Sequence, residues 1–293
     1  MRESTPVEFL VVGECVVDVV RTPGEPDRPY PGGSPANVAL GLARLGRSTA
    51  LLTQLGADEG GALVRRHLEA AGVLLHTDGA AEPTPRAVVT LDGHGRADYE
   101  FAIGWTLRPT PVPAARRVHV GSVGAVLEPG AATVRALLRE QRAAGARVSF
   151  DPNVRPALFG ERAAGLAAVE ECVALSHLVK ASDEDLEWLY PGVPAAETAA
   201  RWLALGPRTV VVTRGAAGAF ALTDGGGCAV DAVPAEVVDT VGAGDSFMSA
   251  LLTALPEQPL PDALRTAATA AALTVGRAGA NPPSAAELAA ALR

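Results

Sequence analysis

The sequence predicts an α/β fold in which βα units build a mainly parallel sheet. Short apolar runs alternate with alanine- and leucine-rich stretches whose apolar residues recur at helical spacing. Hydrophobic residues make up 48% of the chain and charged residues 20%, which is typical of a globular protein with a full core. No Pro- or Ser-rich linker and no internal repeat divides the sequence. We therefore predict one domain over residues 1–293.

Predicted strands and helices alternate along most of the chain up to Thr213. Each predicted strand is a short, mostly apolar run, and each predicted helix carries apolar residues three and four positions apart. The strands are Phe9–Val12, Ala50–Gln54, Arg117–Val120, Arg147–Phe150, His177–Lys180 and Thr209–Thr213, and the helices between them are Ala36–Leu45, Gly60–Ala71, Ala131–Ala144, Arg162–Ala174 and Glu197–Leu205.

After Thr213 the pattern changes to a hairpin followed by helices. Gly218–Thr223 and Cys228–Val233 flank an Asp-Gly-Gly-Gly sequence, which favours a tight turn between two strands. The closing helices are predicted at Asp245–Leu255, Ala263–Val275 and Ala286–Leu292.

Two segments do not follow the alternation of strands and helices, and they predict a small second sheet. Their strand candidates are Cys15–Val20, Arg86–Leu91 and Asp98–Ile103, the last two joined by a turn at Asp92–Gly95. Such a sheet would stand off the main domain as an inserted β lid formed by residues 14–30 and 86–105. Because a free strand edge can pair with another chain, the lid is also the candidate surface for a homodimer.

Charge and cysteine content exclude several classes of protein. The net charge is −8 and no cluster of Arg and Lys could follow a phosphate backbone, so nucleic acid is excluded as a partner. The cysteines Cys15, Cys172 and Cys228 have neither zinc nor C-x-x-C spacing and fit a reduced compartment. The N-terminal apolar run is too short for a signal peptide, and no apolar stretch approaches the roughly 20 residues of a membrane span. We predict a cytoplasmic protein without a membrane partner.

Lys180 is the single lysine of the chain. A P-loop needs Gly immediately before its Lys, and Val179 occupies that position, so a P-loop NTPase is excluded. A dehydrogenase of the dinucleotide-binding type is excluded as well, because Glu14 and Cys15 follow Gly13 where a G-x-G-x-x-G sequence would be required.

The strongest local motif is Asp-Thr-Val-Gly-Ala-Gly-Asp at residues 239–245, which runs directly into a predicted helix. Gly242 and Gly244 allow the backbone to approach a ligand closely, and the N–H groups at a helix start attract anions. Asp245 in the first turn could accept the proton of a hydroxyl while those N–H groups hold a phosphoryl group. An ordinary Gly-rich turn before a helix with a favourable acidic first turn explains the same residues equally well.

A second motif is Pro-Gly-Gly-Ser-Pro-Ala-Asn at residues 31–37. Ser34 suits the N-cap and Pro35 the first position of a helix, and Asn37 follows one turn later. Asn37 alone could be a ligand or a satisfied structural amide.

Together the two motifs resemble those of the PfkB/ribokinase family of carbohydrate kinases, over essentially the whole chain. Gly32, Gly33 and Asn37 match the sugar-binding motif, and residues 239–245 match the motif that binds phosphate and carries the catalytic base. The resemblance implies a three-layer α/β/α fold, an inserted lid, and ATP with Mg²⁺. It also implies in-line transfer of the γ-phosphoryl group of ATP to a sugar hydroxyl.

The resemblance assigns roles to individual residues. Asp245 is the implied general base, the N–H groups of Gly242, Ala243 and Gly244 neutralise the phosphoryl oxygens, and further residues bind substrate, nucleotide and metal. The implied substrate ligands are Asp18, Gly32, Gly33, Asn37, Asn153 and Arg155, and the implied nucleotide ligands are Lys180, Ser182, Thr213, Arg214 and Gly215. Asp185 would organise Mg²⁺ through water, and Asp239 and Val241 belong to a segment that binds K⁺ in several members.

Three positions depart from the family pattern around the nucleotide. Ser182 replaces an Asn, Asp185 replaces a Glu, and Ala268 lies where an Asn often helps to line the adenine pocket. Asp185 is one methylene shorter than Glu, so direct ligation of the metal is not expected.

The substrate remains open between several sugars. Bacterial fructokinases are the members with the most similar segments, which favours fructose, and an Asp-x-Asn-x-Arg sequence at residues 151–155 also fits 2-keto-3-deoxygluconate kinase. Ribokinase and a nucleoside kinase are further alternatives. A member that binds sugar as a sensor without phosphorylating it is the alternative from another class.

Overall fold

A computed structural model describes residues 6–21, 26–79, 83–91 and 97–293. Their secondary structure consists of strands and helices that alternate along most of the chain. The strands are β1 (Val7–Val12), β2 (Val16–Arg21), β3 (Arg28–Gly32), β4 (Thr49–Thr53), β5 (Leu74–Thr77), β6 (Arg86–Leu91), β7 (Ala97–Ala102), β8 (Ala115–Gly121), β9 (Arg147–Asp151), β10 (Leu178–Ser182), β11 (Thr209–Thr213), β12 (Ala219–Thr223) and β13 (Gly226–Val230). The α-helices are α1 (Ser34–Arg44), α2 (Glu59–Ala70), α3 (Gly130–Ala143), α4 (Arg162–Leu175), α5 (Asp183–Leu189), α6 (Ala195–Leu205), α7 (Ala243–Ala254), α8 (Leu260–Val275) and α9 (Ala285–Ala291).

The main sheet has nine strands in the order β13-β12-β11-β10-β9-β8-β1-β4-β5. All neighbours from β11 to β5 pair in parallel, and the hairpin of β12 and β13 adds the antiparallel edge. Side chains that alternate along β1 enter two separate cores. Phe9 and Val11 pack with α1, α2, α7 and α8, whereas Leu10 and Val12 pack with α3 to α6. The fold therefore has three layers, with helices on both faces of the sheet.

A second sheet has four strands in the order β3-β2-β6-β7. β2 follows β1 directly, so this small sheet begins at the carboxyl end of a central strand of the main sheet. Val17 and Val19 of β2 are buried in the same core as α2. The strands of the small sheet lie in the segments predicted as the lid, except that β3 continues past residue 30 to Gly32. The predicted turn at Asp92–Gly95 and residues 22–25 lie outside the described residues.

The predicted fold class is confirmed, and the differences concern short or exposed elements. β3 was not predicted because Pro29 and Pro31 cannot donate to a sheet ladder, and it is an edge strand. β5 was missed because it is a four-residue edge strand whose Leu74 is half exposed. α5 was also missed, since its seven residues are too few to show helical periodicity.

Two further observations concern the cysteines and the lengths of the helices. All three cysteines are free thiols, with Cys15 and Cys172 buried and Cys228 half-buried. Within the described parts of the chain, no helix has both the length and the apolar character needed to cross a membrane.

The central position of β1 predicts a large difference between two leucine substitutions. Leu10 is fully buried on β1, whereas Leu74 lies half exposed on the edge strand β5. We expect Leu10→Ala to lower the free energy of unfolding by roughly 2–5 kcal/mol through lost burial and cavity formation, and Leu74→Ala to change it by less than about 1 kcal/mol. Urea unfolding followed by tryptophan fluorescence measures both, and equal losses would contradict the central placement of β1.

Candidate active site

A cavity of about 670 Å³ lies at the carboxyl ends of the central strands, between the small sheet and the start of α7. Open parallel sheets bind ligands at this edge because the loops after neighbouring strands converge there. Predicted site residues that line the cavity are Asp18, Gly33, Asn37, Asn153, Arg155, Ser182, Asp185, Val241, Gly242, Gly244 and Asp245. The two sequence motifs thus meet in one cavity.

Asp245 is buried at the cavity floor and held by two donors from α1. The Ser34 hydroxyl donates to Oδ1 at 2.6 Å, and Asn37 Nδ2 donates to Oδ2 at 2.8 Å. Burial raises the pKa of Asp245, the two hydrogen bonds oppose that shift, and nearby Asp151 adds to it. Each carboxylate oxygen keeps capacity for a further hydrogen bond, so Asp245 can accept a proton from a group that enters the cavity.

The start of α1 explains why Ser34 reaches Asp245. Gly33, at φ +99°, is the N-cap, and a Cβ on it would lie 2.7 Å from the carbonyl oxygen of Glu14. A side chain at this position would therefore clash with the backbone. Ser34 was expected to be the N-cap, but it is the first helical residue, and its hydroxyl bonds Asp245 instead of a backbone N–H.

The start of α7 forms the other wall. Gly242 adopts the left-handed conformation at φ +75°, and the Ala243 N–H donates to the Thr240 carbonyl at 3.2 Å. Within the described structure, the N–H groups of Gly242, Gly244 and Asp245 have no backbone acceptor in this turn. These donors and the positive end of the helix dipole could hold an anion, and we call this loop the anion site, whereas the Ala243 N–H is used within the turn itself.

Asp18 and Gly32 meet on the small sheet. Asp18 lines the cavity, and a Cβ on Gly32 would lie 2.0 Å from the Asp18 carboxylate, so only glycine leaves room for it. Burial raises the pKa of Asp18 to about 6, and the positive charge of Arg155 opposes the shift. Gly32 thus shapes the site from behind Asp18 and does not line the cavity.

Sequence reasoning missed Glu14 and Ser122, which lie in the cavity wall beside Asn153. Asn153 Nδ2 donates to Ser122 Oγ at 3.4 Å, and the Gly124 N–H donates to Glu14 Oε2 at 2.8 Å. Ser122 and Asn153 both have positive φ, at 55° and 37°, which is a strained backbone conformation often found at functional sites. Burial raises the pKa of Glu14 to about 7, and hydrogen bonds from its own backbone N–H and from Ser122 oppose the shift.

Arg155 is exposed at the cavity rim. Its Nη1 donates to the carbonyl oxygens of Val154 at 3.0 Å and Asn153 at 3.4 Å. The guanidinium therefore braces the local turn, and it stays within electrostatic range of Glu14 and Asp18.

Ser182 and Asp185 form the N-terminal cap of α5. Ser182 Oγ accepts the Asp185 N–H at 3.0 Å, while Asp185 accepts the N–H groups of Ser182 at 2.8 Å and Val154 at 2.7 Å. Both Asp185 oxygens are thus engaged with the backbone. Among the described residues no three metal-binding side chains cluster together, so a divalent ion here would depend on phosphate oxygens and water, with Asp185 in its outer shell.

Several predicted residues lie away from the cavity lining. Lys180 is buried beneath α7. Thr213 ends β11 opposite Ser182, and Arg214 and Gly215 follow at the same sheet edge. Asp239 accepts the N–H groups of Val241 at 3.0 Å and Gly279 at 2.9 Å, which joins the segment predicted to hold K⁺ to the turn around Gly279. Their ligand roles stay predictions.

The small sheet contributes Ile103 to the cavity, but Trp105 does not reach it. Trp105 is buried against Gly130 and donates from Nε1 to the Gly124 carbonyl at 3.0 Å.

Comparison with known proteins identifies related sequences and folds. A model of the pfkB family of carbohydrate kinases matches residues 8–287. The fructokinase of Klebsiella pneumoniae is 34% identical over 276 residues, which cover 91% of this chain and 90% of that protein. A double mutant of fructokinase from Vibrio cholerae O395, in a form bound to fructose, ADP and potassium ion, has a TM-score of 0.86 at 28% identity and covers 98% of this chain and 99% of its own. Ribokinase from Thermotoga maritima has a TM-score of 0.81 at 24% identity, covers 98% of this chain and 99% of its own, and shows the shared fold.

The buried carboxyl of Glu14 predicts a pH-dependent stability difference. Its pKa in the folded protein is about 7, above the usual 4.5, so the folded state binds the proton more tightly than the unfolded chain. Stability from this group is present at low pH and is lost as pH rises from about 4.5 to 7. We expect the unfolding free energy of Glu14→Gln, relative to wild type, to rise by about 3 kcal/mol between pH 4 and pH 8. Urea unfolding at several pH values measures this, and parallel pH profiles would contradict it.

Proposed function

Since the chain belongs to the pfkB family of carbohydrate kinases, we propose that it is a fructokinase that transfers the γ-phosphoryl group of ATP to a hydroxyl of fructose. The observation that carries this proposal is the buried Asp245 carboxylate, held by Ser34 and Asn37 between the anion site of α7 and the polar cavity. A hydroxyl of a sugar in the cavity can there meet a base and a phosphoryl site together.

Asp245 acts in this proposal as the general base. Its carboxylate takes the proton of the attacking sugar hydroxyl while the oxygen forms a bond to the γ-phosphorus and the bond from that phosphorus to the β-phosphate oxygen breaks. Ser34 and Asn37 fix the orientation of the carboxylate, because each donates to a different oxygen. The products are the sugar phosphate and ADP, with the proton first on Asp245.

The start of α7 stabilises the transferred group. The N–H groups of Gly242, Gly244 and Asp245 lie at the helix N-terminus and are fixed before the reaction, so they neutralise developing charge without reorganisation. When bound, Mg²⁺ supplies charge neutralisation on the phosphates. Asp185 would hold it through water, since the backbone already occupies both oxygens of that carboxylate.

The charges of the cavity favour a neutral sugar over a sugar acid. Glu14, Asp18, Asp185 and Asp245 line it, and the Arg155 guanidinium is tied to the backbone of its own turn. A substrate carboxylate would meet repulsion from these acids, whereas hydroxyl groups of fructose can donate to them. The position of Arg155 at the rim keeps 2-keto-3-deoxygluconate as the second candidate substrate.

Intact catalytic groups favour an enzyme over a silent sugar sensor. Asp245 and the glycines of the α7 loop are all present and meet at the cavity. Four further predictions belong to this proposal: nucleotide contacts from Ser182 and Thr213–Gly215, a K⁺ site at Asp239 and Val241, a cytoplasmic location, and pairing of two chains through the small sheet.

Replacement of the base tests the mechanism. We expect Asp245→Asn to lower kcat for fructose by roughly 10²–10⁴-fold, because the amide cannot accept the proton, while fructose binding changes little. A coupled ADP-release assay measures turnover and calorimetry measures binding. The matched control is Asp262→Asn, an exposed first-turn aspartate of α8 that should keep wild-type kinetics. Wild-type turnover by Asp245→Asn would refute the proposed base.

A substrate panel tests the sugar. Fructose, ribose and 2-keto-3-deoxygluconate, each with and without K⁺, are compared in the ADP-release assay for the wild type and Arg155→Ala. We expect fructose to be the best substrate and Arg155→Ala to change its kcat/KM by less than about fivefold, while any activity on the sugar acid falls at least tenfold through loss of a charged contact. ATP hydrolysis that is the same with every sugar would contradict a sugar kinase.

A further inference from the structure

The single lysine of the chain is buried directly beneath the start of α7. Lys180 Nζ lies 2.7 Å from Asp151 Oδ2, and the side chains are 5% and 1% exposed. A Cβ added to Gly244 would lie 3.2 Å from the same nitrogen, so the ammonium packs against the loop that carries Asp245. Lys180 does not line the cavity, so its position does not favour a direct contact with a bound nucleotide.

The surroundings of Lys180 contain more negative than positive charge. Asp151, Asp185 and Asp245 are all more than nine-tenths buried, and each interacts electrostatically with the ammonium. His119 faces Lys180 from β8, and burial lowers its pKa to about 3, with Lys180 contributing, so its imidazole is neutral and adds no cation. The single ammonium of Lys180 therefore interacts with three carboxyl groups.

Asp151 has a separate structural task that brings its charge close to Asp245. Its Oδ1 accepts the Asn153 N–H at 3.2 Å, which supports the strained turn in the cavity wall. The charge of Asp151 repels the carboxylate of Asp245, and Lys180 attracts it. Both effects are strong because water is largely excluded from this region.

We propose that Lys180 is a positioning residue that acts on the reaction through Asp245, because its ammonium, packed between Asp151 and the loop that carries Asp245, offsets the repulsion between these two carboxylates. This inference rests on the proposed role of Asp245 as general base. It gives Lys180 a part in proton acceptance in place of a contact with the nucleotide. Lys180 itself keeps its proton, because although burial alone would lower its pKa, Asp151 raises that pKa above the usual value.

The proposal predicts opposite pH shifts for the two members of the pair. Without the ammonium, the pKa of Asp245 rises, so the acid limb of the kcat profile moves to higher pH in Lys180→Met. Without the charge of Asp151, the pKa of Asp245 falls, so the acid limb of the kcat profile moves to lower pH in Asp151→Asn. The amide oxygen of this variant can still accept the Asn153 N–H. We expect shifts of about one pH unit, or about tenfold in kcat on the acid limb, with Lys180→Met recovering as the pH is raised.

The measurement is kcat for fructose phosphorylation from pH 5 to 9 at saturating ATP and sugar. The matched control is Arg65→Met, which removes an exposed cation paired with Glu69 on α2 and should keep the wild-type profile. Circular dichroism and thermal melting establish that each variant is folded. If Lys180→Met does not fold, Asp151→Asn carries the same test with the opposite sign.

The outcomes separate this inference from the proposed function. Opposite shifts support it, whereas an unchanged acid limb, a shift of both variants in one direction, or a rise in KM for ATP without a pH shift overturns it. Failure of the proposed function would show in the wild type, which would not phosphorylate a sugar. An active wild type with unshifted variants would overturn the role of Lys180 alone.

Discussion

The hydrogen bonds from Ser34 and Asn37 to Asp245 are the contact on which the site depends. They join residues 211 and 208 positions apart in the chain, and so fix the first helix after β1 against the helix that carries the anion site. Buried carboxylates are costly unless they are hydrogen-bonded, so this pairing also makes the buried position of Asp245 tolerable. With the two helix starts held together, the loops after β1, β8, β9 and β10 enclose a single cavity. The proposed base, the proposed phosphoryl site and the cavity are therefore held together by the same two hydrogen bonds.

The second constraint is the handling of negative charge. A chain with a net charge of −8 repels anions at long range, and acidic side chains line its cavity. Backbone N–H groups at the start of α7 can receive a phosphoryl group there without bringing in further ionisable side chains. The same acids suit hydroxyl groups, which donate hydrogen bonds to them. The proposed substrate class and the proposed phosphate site are thus two consequences of one arrangement of charge.

Much of the fold and part of the site could be predicted from the sequence, because they depend on periodicity and on local motifs. The βα pattern predicted the sheet and most helices, and the two glycine motifs singled out Asp245 and Asn37, which line the same cavity. Glu14 and Ser122 escaped prediction because their placement depends on tertiary contacts and, for Ser122, on a positive φ that no sequence pattern marks. Ser34 carried a good N-cap signal, yet a tertiary acceptor, Asp245, took its hydroxyl. At Ser34, a contact between distant segments of the chain therefore outweighs the local preference of serine for the N-cap position.

The buried ion pair of Lys180 and Asp151 links the turn in the cavity wall to the electrostatics of Asp245. A buried ion pair contributes little net stability, since the cost of removing both charges from water offsets their attraction, so stability alone gives little reason for it. Asp151 is required by the turn that places Asn153 in the cavity wall, and its charge opposes ionisation of Asp245. A neutral partner for Asp151 would leave the repulsion between Asp151 and Asp245 in place. The ammonium of Lys180 attracts both carboxylates and so offsets that repulsion. The proposed role of Lys180 accounts for the position of the single lysine inside the protein, away from the surface where lysines usually lie.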